Sequence, residues 1–105
     1  MDSEPSDLAS RGEPATLRNA IEAWYHQDAY LDFETDAEIW DSIWDGHDEA
    51  ARGRLVSQLD GLLGRSDAEV LRIWNAESHA FRFAEGLEAR DFLDSMLASF
   101  KSRVR

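Results

Sequence analysis

Two of the three histidines, with the carboxylates beside them, are the side chains of this sequence whose types and spacing could support metal or acid–base chemistry. His26 lies two residues before Asp28, and His47 follows in a second acidic segment. Imidazole and carboxylate groups are common ligands of divalent metals, but zinc-binding helices place them at fixed spacings that are not found here. A metal-dependent enzyme or metal carrier that uses His26, Asp28 and His47 is therefore an alternative interpretation, and we expect no cofactor.

Other signatures of catalysis are missing from the sequence. It contains no glycine-rich phosphate loop and no nucleophile elbow. It also has no cysteine, which excludes disulfides and thiolate metal sites and fits a reducing compartment. The first residues lack both a positively charged region and an apolar run, so neither export nor a membrane span is predicted. We therefore expect a cytoplasmic protein that is not an enzyme and acts by binding.

The segment from Asn19 to Ala51 contains ten carboxylates, six aromatic residues and no Lys or Arg. The whole chain has a formal charge of -11, and residues 1–51 hold 14 of its 22 acids but only two of its bases. Phosphate groups are bound through Lys and Arg, so nucleic acids and anionic membranes are disfavoured as direct partners. Acidic runs often serve only solubility, but solubility does not require the exclusion of every base. The pattern favours a basic protein as the partner.

The spacing of apolar residues predicts the helices that position these acids. A first helix is predicted over residues 14–26, and a turn or irregular link follows it. Thr35 and Glu38 form a capping box that begins the second helix, which Gly46 ends. Three more helices are predicted, namely one from Asp48 to Leu63, a short one after the capping box at Ser66, and one that carries Ala89 to Val104.

These elements predict an all-α fold, a helical bundle of about five helices in a single small domain. The domain is expected to cover residues 14–105, after a flexible acidic tail formed by residues 1–13. Between Ser78 and Gly86 the helical period fades, and an extended or irregular segment is predicted to pack Phe81 and Phe83 inward.

The second helix is predicted to have an apolar arc beside an acidic one. The apolar arc contains Ile39, Trp40, Ile43 and Trp44, and the acidic arc contains Glu38, Asp41, Asp45 and Asp48. Trp40 and Trp44 are one turn apart, which favours a core position for both. Trp44 is nearer the acids, and because Trp is enriched among interface anchors, it is expected to contact a partner.

The segments Ile21–Asp28 and Asp36–Asp41 resemble the aromatic-His-Gln-Asp signature of small immunity proteins from bacterial contact-dependent growth inhibition (CDI) systems. A looser similarity continues through residues 54–63 and ends in the helix that contains Arg90–Leu93, so it covers about residues 17–100. The chain departs from the pattern at Ala29 and Tyr30, where relatives often have Trp after the His-Gln-Asp triplet. The resemblance implies a cytoplasmic, non-enzymatic inhibitor of the C-terminal toxin domain of one effector, often a nuclease.

This resemblance agrees with the charge pattern, because a nuclease cleft is basic and an acidic inhibitor can occupy it. The predicted toxin contacts are the carboxylates Asp32, Glu34, Asp36, Asp41, Asp45 and Asp48, with Tyr30 and Trp44 as apolar anchors. A structural role at the end of the first helix is predicted for Trp24, Tyr25, His26, Gln27 and Asp28.

Two further interpretations of the sequence use binding rather than catalysis. The acidic residues could mimic nucleic acid and inhibit a host nucleic-acid-binding protein, in which case the partner would not be a toxin domain encoded beside the chain. A helical adaptor would instead bind through the basic C-terminal helix. The sequence indicates neither the identity of the toxin nor an oligomeric state.

Overall fold

The computed structural model describes residues 14–103, and the regular structure of this range consists of six α-helices. They are α1 (Ala15–Trp24), α2 (Ala29–Asp32), α3 (Asp36–Asp45), α4 (Glu49–Leu63), α5 (Asp67–Glu77) and α6 (Gly86–Lys101). The all-α prediction is confirmed. The additional helix is the single turn α2, which lies in the link predicted to be irregular. The tail predicted for residues 1–13 lies outside the described residues. The last helix ends at Lys101, three residues before the predicted end at Val104.

Side-chain caps begin three of the helices, as the sequence predicted. The Thr35 hydroxyl accepts a hydrogen bond from the backbone N–H of Glu38 (3.2 Å), and Ser66 accepts one from Glu69 (3.2 Å). Asp48 caps α4 by accepting from the N–H of Ala51 (2.8 Å). The four N-terminal amides of a helix have no partner within the helix, so each cap fixes the residue at which the helix begins.

The first helix ends at Trp24, two residues before the predicted end. At Tyr25 the backbone leaves the helical conformation, and its carbonyl accepts a hydrogen bond from the N–H of His79 (2.7 Å). This turn brings the Tyr25 ring into the core, where it is fully buried. A long-range contact therefore ends α1 at a point that carries no local stop signal.

All six helices contribute to one hydrophobic core. α5 and α6 pack along each other, α1 packs against α4 and α5, and α3 packs against α6. Because apolar residues recur every three or four positions, each longer helix turns one face inward. Fully buried members of the core are Leu17, Ile21, Ile39, Ile43, Leu55, Leu59, Ile73, Trp74, Leu93 and Phe100.

The segment between α5 and α6 packs two phenylalanine rings against the core, as predicted. Phe81 and Phe83 lie with their ring centroids 5.2 and 5.8 Å from that of Trp74. The side chain of Asn75 accepts from the N–H of Phe83 and donates to its carbonyl, both at 3.0 Å. These two bonds satisfy the backbone N–H and carbonyl of Phe83, since residues 14–103 contain no strand that could pair with them.

Arg90 connects α6 to the turn between α4 and α5. Its guanidinium donates to the carbonyl oxygens of Leu63 and Arg65 and to the carboxylate of Asp67. The last carbonyls of a helix have no partner within the helix, so Arg90 satisfies the end of α4 and binds the start of α5 with one side chain.

Gly86 generates a prediction about packing, because a Cβ at this position would lie 2.5 Å from the backbone oxygen of Asp67. We expect Gly86→Ala to lower the free energy of unfolding by about 1–3 kcal/mol through overpacking. Gly61, within α4, is the control, since nothing lies within 4 Å of a Cβ added there. Gly61→Ala should raise the free energy of unfolding by about 0.5–1 kcal/mol. Urea denaturation measures both, and an unchanged Gly86→Ala variant would contradict this close approach.

Candidate functional site

The predicted contact residues lie in two groups on successive parts of the chain. The first group occupies α2, its link to α3 and the first residue of α3, and the second occupies the C-terminal half of α3 and its link to α4. The first contains Tyr30, Asp32, Glu34 and Asp36, and the second contains Asp41, Trp44, Asp45 and Asp48.

Asp36 binds two tyrosines through one carboxylate oxygen. This Oδ1 atom accepts from the hydroxyl of Tyr25 at 3.0 Å and from that of Tyr30 at 2.6 Å. Burial raises the pKa of both tyrosines well above its ordinary value, and the Asp36 carboxylate raises it further. Both hydroxyls therefore stay protonated and can donate to Asp36. Asp36 joins the end of α1, α2 and the start of α3, and a toxin contact for it stays a prediction.

The remaining members of the first group are open to solvent. Tyr30 is 44% exposed, and the rest of its ring packs beside Tyr25 and Phe81 at centroid distances of 6.4 and 6.2 Å. Asp32 is exposed and lies 3.6 Å from Nε2 of His26. Glu34 is exposed as well, and its carboxylate has no hydrogen-bond or ion-pair partner within residues 14–103.

The residues assigned to the junction after α1 have different environments. The indole of Trp24 donates to the hydroxyl of Ser42 in α3 (2.9 Å), and Tyr25 is bound by Asp36. Nδ1 of His26 accepts from the backbone N–H of Asp28 (3.1 Å), while the side chains of Gln27 and Asp28 are exposed. Trp24 and Tyr25 are thus the members of this group that connect α1 to α3.

The carboxylates of the second group differ in how they are used within the protein. Asp41 forms an ion pair with Arg103, which follows α6, and Asp48 caps α4. Asp45 is exposed, and its carboxylate has no partner in the described part of the chain. Glu38, Asp41 and Asp45 lie on the side of α3 away from Ile39 and Ile43, as predicted, whereas Asp48, the fourth predicted member of the acidic arc, lies beyond the end of α3.

Of the two tryptophans of α3, Trp44, the predicted partner contact, is the more deeply buried. Trp44 is only 8% exposed and stacks on Phe100 of α6, with ring centroids 5.3 Å apart. The guanidinium of Arg52 lies 5.3 Å from the Trp44 ring centroid and donates to the Trp44 carbonyl. Trp40 is only partly buried, against Phe92. The expectation that Trp44 is open to a partner is wrong, because the end of α6 covers that side of α3.

Leu31 is an exposed apolar residue that the sequence interpretation missed. Its side chain is 84% exposed, more than that of any other large apolar residue described. It lies in α2, between Tyr30 and Asp32. A single helical turn is too short to show a hydrophobic period, so the pattern could not distinguish an outward leucine from a buried one.

Carboxylates on and beside α2 and α3 form what we call the acidic surface. It consists of the exposed Asp28, Asp32, Glu34, Glu38 and Asp45, together with the half-buried Asp41. Within residues 14–103, no three His, Asp or Glu side chains are grouped so that they could hold a metal ion. Nδ1 of His47 donates to the carbonyl of Ile43 (2.6 Å). None of the helices in the described range is long and apolar enough to cross a membrane.

Ionisation of the two tyrosines should lower the free energy of unfolding at alkaline pH. Tyrosines of the unfolded chain ionise near pH 10, whereas burial and Asp36 raise the pKa of Tyr25 and Tyr30 in the folded protein. The contribution of these two tyrosines to the free energy of unfolding is therefore fully present below about pH 10 and is lost as the pH rises further. The buried Tyr25 alone should contribute a loss of about 1.4 kcal/mol per pH unit.

Urea denaturation from about pH 8 to 11 measures this loss. Tyr25→Phe should remove the part that Tyr25 contributes, and Tyr30→Phe should remove less, since Tyr30 is partly exposed. If Tyr25→Phe lost stability above pH 10 as steeply as the unaltered protein does, the protonated Tyr25–Asp36 contact would be contradicted.

Comparison with known proteins places the chain in a family. A family model described as CdiI immunity protein matches residues 13–100, which include α1 to α5 and nearly all of α6. No curated protein and no solved structure gives a significant match. The match contains both segments on which the sequence resemblance was based. The chain therefore belongs to the CdiI immunity protein family.

Proposed function

We propose that this immunity protein neutralises its cognate CDI toxin through the acidic surface, and that the toxin domain is a basic nuclease. Family membership supports neutralisation of a cognate toxin, since a CdiI immunity protein neutralises the toxin of its own system. The choice of surface and of toxin chemistry rests on the charge distribution. The protein is proposed to act in the cytoplasm of the cell that produces it, without catalysis.

The single observation that carries the proposal is that few basic side chains in the described part of the protein pair with the carboxylates of the acidic surface. Glu34 and Asp45 have no partner within residues 14–103, and Asp41 pairs with one arginine. The carboxylates of α5 differ, because the structure places arginines beside them. Glu69 lies beside Arg65 and Arg72, Asp67 binds Arg90, and Glu77 pairs with Arg18.

An un-neutralised acidic surface would favour rapid capture of a basic partner. Opposite charges steer the encounter and can raise association rates to about 10⁸–10⁹ M⁻¹s⁻¹ at low salt. A nuclease presents such a partner surface, because it must hold phosphate groups with Lys and Arg. Exposed carboxylates at the entrance of that cleft would compete with the nucleic acid for these bases.

Reversing two of the unpaired charges tests the proposed surface. We expect Glu34→Lys/Asp45→Lys to lower the association rate constant with the purified toxin domain about tenfold or more at low salt. The dependence of that rate on salt should weaken as well. The control Asp60→Lys/Glu88→Lys makes the same change in net charge at exposed positions on α4 and α6.

Surface plasmon resonance at about 50 and 200 mM salt measures both rate constants, and co-expression with the toxin domain encoded beside the gene measures protection of growth. Equal effects of the two double variants would contradict the proposed surface. Incubation of the toxin domain with DNA and RNA tests the nuclease part, which intact substrates would contradict.

A further inference from the structure

We propose that Tyr30 and Leu31 form an apolar knob on α2 that inserts into an apolar recess of the toxin domain, bordered by Lys and Arg. The inference rests on the proposed function and adds the residue that anchors the complex. It replaces Trp44, which α6 covers, by Leu31, which nothing in the described structure covers.

The knob is the exposed apolar part of an otherwise charged surface. Leu31 is 84% exposed and Tyr30 44%, and the two residues are adjacent in the same turn. A single exposed leucine is common on protein surfaces. An exposed apolar pair that includes a tyrosine and has charged groups around it instead resembles a protein-interaction site, because aromatic residues are enriched at interface cores and the rim is polar.

The backbone that carries the knob is well fixed. Within the turn, the N–H of Leu31 donates to the carbonyl of Asp28 (2.9 Å), and that of Phe33 donates to the carbonyl of Ala29 (2.9 Å). Ala29 is fully buried under the turn, and Asp36 holds the hydroxyl of Tyr30 at 2.6 Å. Because the turn is already ordered, binding would lose little conformational entropy.

The charges around the knob specify its partner. Asp28, Asp32 and Glu34 are exposed on either side of it, and the chain contains no Lys or Arg between Arg18 and Arg52. This arrangement would repel an anionic membrane and an acidic protein. The complementary occupant is a basic protein with an apolar recess among its cations, as expected of a toxin domain that binds nucleic acid.

The knob and the carboxylates should affect different steps of binding. Charges at the rim of an interface act mainly on the association rate, because they steer the encounter over a distance. A buried apolar anchor acts mainly on the dissociation rate, because its contacts form only after docking. The two contributions can therefore be separated kinetically on the same complex.

The test compares Leu31→Ser with Leu87→Ser in the full chain, binding to the purified toxin domain. Leu87 is the matched control, because it is 58% exposed at the start of α6. We expect Leu31→Ser to raise the dissociation rate constant about 10- to 30-fold. The association rate constant and its salt dependence should stay within about twofold of the unaltered protein. Leu87→Ser should change neither rate, and Leu31→Met should retain slow dissociation.

The outcomes distinguish the knob from the proposed function. If the unaltered protein binds and Leu31→Ser dissociates no faster than Leu87→Ser, the knob is wrong while the acidic surface can still stand. If the unaltered protein does not bind the toxin domain, the proposed function itself fails. Thermal denaturation of each variant checks folding, and Leu31→Ser should melt with the unaltered protein because its side chain is exposed. Faster dissociation that Leu31→Met also shows would overturn the apolar contact.

Discussion

The carboxylate of Asp36 makes the hydrogen bonds on which the arrangement of the acidic surface depends. By accepting from the hydroxyls of Tyr25 and Tyr30, it joins the end of α1, the turn α2 and the start of α3. The Tyr25 ring is fully buried, so its hydroxyl requires an acceptor at this position. Tyr30 then fixes the direction in which α2 projects from the core. The geometry of the acidic surface is thus set by one of the acids of the same segment.

Helix N-termini explain how so many carboxylates can be accommodated in a short segment. Asp36 and Glu38 lie in the first turn of α3, and Asp48 caps α4. The free amides and the positive end of the helix dipole make negative charge favourable at these places. Glu38 also accepts from the N–H of Glu34 (2.8 Å), before the helix begins. Part of the acidic segment therefore stabilises the fold, and the outward-facing remainder is available for binding.

Local patterns predicted most of the fold, whereas contacts distant in sequence decided what the patterns left open. Thr35 and Ser66 were recognisable as caps because a cap needs only the next three residues. The burial of Trp44 depends on Phe100, and the pairing of Asp41 depends on Arg103, neither of which a helical wheel contains. Leu31 was missed because its helix is a single turn. The predictions thus fail at positions whose burial or pairing is decided by residues distant in sequence, which a local pattern does not contain.

The acidic surface contains carboxylates that have no basic partner in the described part of the chain, and this has a thermodynamic consequence. Carboxylates of α5 lie beside arginines, whereas Glu34 and Asp45 have no partner within residues 14–103. Like charges that are not neutralised repel one another and oppose the compact state. A basic partner would relieve this repulsion in the folded protein. It would stabilise an unfolded chain less, because the charges of that chain are farther apart. Binding and folding stability are therefore coupled, and the complex should be more stable than the free immunity protein.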